Sequence, residues 1–282
     1  MKWSTPSSVS QRTASGDVVW ALRHPEEAAH VPITTGWMEA RAVLLLWAAA
    51  GAIAAAHVLP TEVMAIVGIA AVHGGLLTAA LAWGGIGLGN ASLVIAMLAV
   101  ARALVGVHSL GALAYLAVPL WLGRLALRGR LTRLGLAPPW PWGAVFVGAL
   151  AGTALALHLV TSVSRTLGYG IRFDPAALLP ALGYDVGANV ISAELFFRGA
   201  LLQHLWRRWS FGLALAVVSV AATLRYCVDP FVGTIELRVG AAVYMALLAI
   251  VNGALYRWSG SLLPGLVAAS IFFACYRLLA IG

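Results

Sequence analysis

Apolar runs of about 18 residues or more recur along this chain, separated by short loops that hold most of its charge. A run of that length crosses a hydrocarbon core ~30 Å thick when it is helical. No water reaches the backbone there, so a single segment satisfies its own N–H and C=O groups only by closing them into a helix. Of the 282 residues, 61% are apolar and 10% charged. A soluble domain of this size needs more polar surface than that. The chain is expected to be an all-α, polytopic integral membrane protein.

Nine spans are expected, near 40–58, 62–82, 91–107, 109–127, 142–161, 176–205, 210–227, 239–256 and 261–280. Loop charge orders them. One set of loops carries Arg124, Arg128, Arg130 and Arg133, then Arg207 and Arg208, then Arg257, with no acid among them. On the other side Arg165, Arg172, Arg225 and Arg238 are balanced by Glu62, Asp174, Asp229 and Glu236. The positive-inside rule puts the first set and the N-terminus in the cytoplasm and the C-terminus outside. The net charge of +8 therefore encodes topology, and no nucleic-acid partner is expected. The arginine and alanine bias fits a bacterial cytoplasmic (inner) membrane protein. Residues 1–39, with three basic and four acidic groups and no signal peptide, are expected to form a soluble tail ending near Trp37.

Pro138, Pro139 and Pro141 break the chain after the arginine-rich loop, since proline stops one helix and starts another. They divide the membrane part into a four-helix region, 40–130, and a second region, 131–282. Gly148-Ala-Leu-Ala-Gly152 has the small-xxx-small spacing of closely packed membrane helices. Gly85, Gly87 and Gly89 follow no strand, so they read as a turn between two spans and not as a nucleotide loop. Cys227 and Cys275 have no metal-type spacing and read as small apolar fillers.

An ionisable side chain inside a span costs about 2–3 kcal/mol on insertion scales, so each one needs a partner or a purpose. The sixth span holds several. Asp185, Asn189 and Ala193 follow one another at four-residue spacing, and Glu194 and Arg198 stand i, i+4 with the acid first, the favoured order for an ion pair. Arg102 is isolated in the third span, with Asp185 as a candidate partner. His73, His57, His108 and His158 lie in or at the ends of spans. Each is chemically able to hold a haem or pigment, but none has a paired spacing, so packed or interfacial histidines are expected.

Three stretches resemble the CPBP intramembrane proteases, the family of CAAX-prenyl endopeptidases and bacteriocin-processing proteins. They are Arg133-Leu-Gly-Leu136, Glu194-Leu-Phe-Phe-Arg-Gly199 and Tyr256-Arg-Trp-Ser-Gly-Ser-Leu-Leu-Pro264, in the family's order. The resemblance covers roughly residues 131–280 and implies a CPBP-like helix bundle for the second region. It also implies a glutamate that activates water, placed just before Glu194, and two histidines that orient the water and stabilise the oxyanion. Here the first position is Ala193. The second motif falls on Ala222-Thr-Leu-Arg-Tyr226 and the third on Ala269-Ser-Ile-Phe-Phe273, so Tyr226, Ala269 and Phe273 replace the remaining catalytic groups. Residues 205–282 contain no histidine at all, which no shift of register repairs.

The expected protein is a pseudoenzyme of this family, with Glu194 and Arg198 as a structural remnant and no catalytic residue. Ala193, Tyr226, Ala269 and Phe273 are expected to turn the catalytic cleft into an apolar groove for a helix or lipid. Its partners are expected to be other integral membrane proteins of a complex, and lipids, with no metal and no cofactor. Two alternatives stand beside this: an active intramembrane endopeptidase with a rebuilt site, and a pigment- or haem-binding membrane subunit.

Overall fold

In the computed structural model, residues 60–228 and 235–279 are described, with residues 41, 44, 48 and 51 before them. The expected tail 1–39 and most of the expected span 40–58, His57 included, lie outside the described residues. What is described is a helical bundle. Six helices are long and apolar enough to cross a membrane: α1 (Glu62–Trp83), α2 (Gly89–Val107), α3 (Ser109–Leu127), α4 (Trp142–Leu167), α5 (Pro175–Trp206) and α7 (Arg238–Ser259). Two apolar helices are shorter, α6 (Phe211–Tyr226) and α8 (Leu263–Tyr276).

All eight coincide with expected spans, with two corrections. The last helix stops at Tyr276 and not near 280, and Arg277 just after it pairs with Asp185. Arg225 is not a loop charge: it lies in the last turn of α6 and reaches into the bundle.

Local chemistry explains the ends. Asp174 caps α5, its Oδ1 accepting the Ala176 N–H at 3.1 Å, and Pro175 follows at the first helical position. α4 ends at Gly168, whose φ of 72° closes the helix in the left-handed region. The first two turns of α3, Ser109–Leu116, are 3₁₀, started by His108, which accepts the Leu110 N–H. Gly84 and Gly85 make the expected turn after α1.

Close packing runs through glycine. Gly148 and Gly152 of α4 face Pro264 and Ala268 of α8. A Cβ on Gly152 would stand 2.7 Å from the Ala268 Cα and overlap its carbonyl oxygen. Gly183 and Gly187 of α5 do the same against the backbone of Ala112 and Tyr115 in α3. With lipid outside, such van der Waals contact supplies much of the association energy between helices. One core takes in Leu77, Leu98, Tyr115 and Leu122 from before the proline break and Leu195, Leu202 and Leu262 from after it. A second gathers Leu159, Leu248 and Phe272 around α4, α7 and α8.

α5 is the central element, and it is wound unusually. Asp185–Val190 and Glu194–Leu202 are π-helical, as is Ala70–Gly74 in α1. Such wider turns are rare and concentrate where a helix carries function.

The α4–α8 contact makes a direct prediction. Gly152→Ala, whose methyl meets backbone, lowers stability by about 1–3 kcal/mol. Gly143→Ala, with nothing within 4 Å, leaves it unchanged. Thermal unfolding of both variants in detergent reads the difference.

Candidate functional site

α5 presents two polar clusters to the bundle interior, one on each side of Ile191–Ala193. The first centres on Glu194, only 2% exposed. Its Oε1 stands 3.2 Å from Arg198 Nη1, the ion pair expected from the spacing, and accepts from the Asn252 Nδ2 of α7 at 2.9 Å. Asn252 Nδ2 also donates to the Gly265 carbonyl at 3.2 Å, tying α7 to the start of α8. Glu194 Oε2, Arg198 Nε and Asn252 Oδ1 are buried without a hydrogen-bond partner. A Cβ at Gly265 would lie 3.2 Å from Glu194 Oε2, so glycine there is what admits the carboxylate.

The second cluster starts at Asp185, which is fully buried. Arg277 donates to it twice, Nε to Oδ2 at 2.8 Å and Nη2 to Oδ1 at 3.0 Å, the bidentate form that Arg favours. Arg102 is therefore not its ion-pair partner. Asn189 Nδ2 donates to Asp185 Oδ1 at 3.3 Å, and Arg225 Nη1 donates to Asn189 Oδ1 at 2.6 Å. Arg225 Nη2 lies 3.1 Å from His73 Nδ1. A guanidinium has only N–H groups to offer, so Nδ1 is the acceptor and the ring proton sits on Nε2. From there it donates to the Tyr184 hydroxyl at 2.8 Å. Ser192 Oγ stands 3.0 Å from the same Nδ1 and donates to the Asn189 carbonyl. The chain of contacts runs from α1, through α5 and α6, to the residue after α8.

The positions expected to be degenerate adjoin both clusters. Ala193 is fully buried between them in the main core. Ala269 and Phe273 of α8 are buried in the second core, and the Tyr226 ring packs on Phe273 with centroids 5.5 Å apart. The Arg225 guanidinium lies 4.5 Å from the centroid of the Tyr226 ring. Ala193, Ala269 and Phe273 are thus buried in the packed interior, with Tyr226 partly buried beside them.

Other expectations meet the structure as follows. Both ring nitrogens of His73 are engaged inside the protein. His158 bonds to the Tyr244 hydroxyl. The three resembling stretches converge: Leu262 N–H donates to the Gly135 carbonyl at 2.9 Å, Gln203 bonds to the Arg133 carbonyl and the Tyr256 hydroxyl, and Gly199 abuts Leu134 and Leu262. Gly135, at φ 77°, lies so close to Tyr256 that a side chain would strike the ring.

Sequence reasoning overlooked Asn252 and Ser192 and misjudged Arg225. The signal for Asn252 was present, a lone amide in the middle of an apolar run, which carries the same expectation of a partner as a charge.

The Glu194 cluster yields a stability test. Arg198→Met leaves a carboxylate buried without its cation and costs about 3–5 kcal/mol. Adding Glu194→Leu removes the stranded charge and restores most of the loss, read as the thermal midpoint of the single and double variants.

Residues 175–274 match the family model described as type II CAAX prenyl endopeptidase Rce1-like. No curated protein and no solved structure matches the chain. The matched stretch opens on the first residue of α5 and closes near the end of α8, taking in Glu194, Arg198, Tyr226, Asn252, Ala269 and Phe273. Through that stretch this membrane protein is similar to the CAAX protease-like proteins.

Proposed function

We propose that this chain is a CPBP-type membrane protein that no longer cleaves and acts by binding, as an accessory, scaffold or assembly subunit of a membrane protein complex. The observation that carries this is the state of Glu194. Peptide hydrolysis needs a base with access to water and donors for the developing oxyanion. Glu194 is buried, its Oε1 is held by Arg198 and Asn252, and its neighbour at the water-activating position is Ala193. Tyr226, Ala269 and Phe273 stand where the resemblance implies the remaining catalytic groups, and the last histidine of the chain is His204.

A rebuilt endopeptidase is the competing reading, and one contact favours it: Ser192 Oγ lies 3.0 Å from His73 Nδ1, within reach of a nucleophile–base pair. Two features count against it. Arg225 donates to the same nitrogen, which occupies the lone pair a base requires, and Ser192 is 0% exposed.

The two readings separate in one assay. The purified chain, reconstituted in vesicles with a farnesylated CAAX peptide, is expected to release no product above the lipid blank. Glu194→Gln, His73→Ala and Ser192→Ala variants are expected to match it. Cleavage that disappears in any of these variants overturns the non-cleaving reading and names the residue responsible.

A further inference from the structure

The end of the bundle where α1, α3, α5 and α7 finish and α2, α4, α6 and α8 begin is strongly basic. The described acids lie elsewhere: Glu62, Asp174 and Glu236 at or before the opposite helix ends, Asp185 and Glu194 inside. Two of the arginines, Arg207 and Arg133, are gathered by the fold at one place, the turn after α1, and a third, Arg208, follows Arg207 in the chain. The Arg207 guanidinium sits 5.9 Å from the ring of Trp83. Arg133 Nη1 lies 3.3 Å from the point where a Cβ on Gly85 would stand. Arg208 follows Arg207 in the turn that ends α5, its N–H bonded to the Leu205 carbonyl. Gln203 holds the Arg133 backbone at 2.9 Å, so the two segments are locked together.

No carboxylate among the described residues lies within ion-pair distance of Arg133, Arg207 or Arg208. Burial pulls the Arg207 guanidinium below its ordinary value, Tyr256 acts the other way, and Arg133 adds like-charge repulsion. A place that concentrates positive charge in this way is completed by an anion. Its depth is marked as well: the described tryptophans all lie at or within two turns of this same end, with Trp142, Trp209 and Trp258 exposed. Tryptophan belts sit at the headgroup level of a bilayer.

We propose that Arg133 and Arg207, gathered at the Trp83–Gly85 turn, together with the exposed Arg208 next in the chain, form a site for the phosphate of an anionic phospholipid headgroup in the leaflet facing this end. Guanidinium forks match phosphate oxygens in pairs. The site lies away from Glu194 and does not depend on whether the chain cleaves peptides.

The test is native mass spectrometry of the full chain reconstituted with equal phosphatidylglycerol and phosphatidylcholine. Wild type is expected to retain phosphatidylglycerol selectively. Replacing Arg133, Arg207 and Arg208 together by Gln is expected to weaken retention about a hundredfold, at about fivefold per guanidinium. A second triple variant, Arg128→Gln, Arg130→Gln and Arg257→Gln, removes the same charge from the same end and is expected to retain the lipid as wild type does. Should the first triple variant not fold, exposed Arg208→Gln alone carries the test, with about a fivefold loss. Three results overturn the proposal: equal retention of the two lipids, an equal loss in both triple variants, or displacement of phosphatidylglycerol by millimolar inorganic phosphate.

Discussion

A carboxylate between membrane helices persists only if a cation and hydrogen-bond donors meet it, and Glu194 has both within one turn and one neighbouring helix. Much of the second region is arranged around that requirement. Asn252 turns its amide nitrogen to the carboxylate and to the Gly265 carbonyl, so α7 and the start of α8 are fixed to α5 by the same group. Gly265 leaves the room that the carboxylate occupies. The π-helical winding of Glu194–Leu202 carries both members of the ion pair while Leu195, Phe196 and Phe197 enter the core.

The second cluster does for the two membrane regions what the first does for the second region alone. His73 comes from α1, before the proline break, and reaches residues of α5 and α6 that lie after it. Asp185 draws Arg277 in at the far end. Since the main core also runs across the break, the first helices are a packed wall of the CPBP-like bundle. In a low-dielectric interior such a network holds its members to one arrangement, because each unmade hydrogen bond there is costly.

Much of this was legible in the sequence because membrane crossing is a one-dimensional constraint. Apolar length alone located α1 to α8, and four-residue spacing alone paired Glu194 with Arg198. The Gly148–Gly152 contact was equally visible, since small residues one turn apart have few other uses in lipid. What stayed hidden depends on which helices meet. Nothing local to Arg225 distinguishes a loop charge from one folded inward to Asn189, and nothing local to Asp185 chooses Arg277 over Arg102. The burial of Ala193, Ala269 and Phe273 was hidden for the same reason: the residue types are written in the chain, but what packs against them depends on which helices meet.

On the proposed non-cleaving reading, Glu194 serves cohesion between helices and binding is the chemistry that remains. The exposed apolar faces of α4 and α6, with Phe146, Leu150, Leu213 and Val220 outward, are surfaces that lipid or another membrane protein covers. The direct test is to extract the native protein in mild detergent, run it on a native gel and identify what migrates with it by mass spectrometry. The account predicts migration with a constant set of other membrane proteins, unchanged when Glu194→Leu and Arg198→Met are introduced together. Migration alone near the mass of this chain would contradict it.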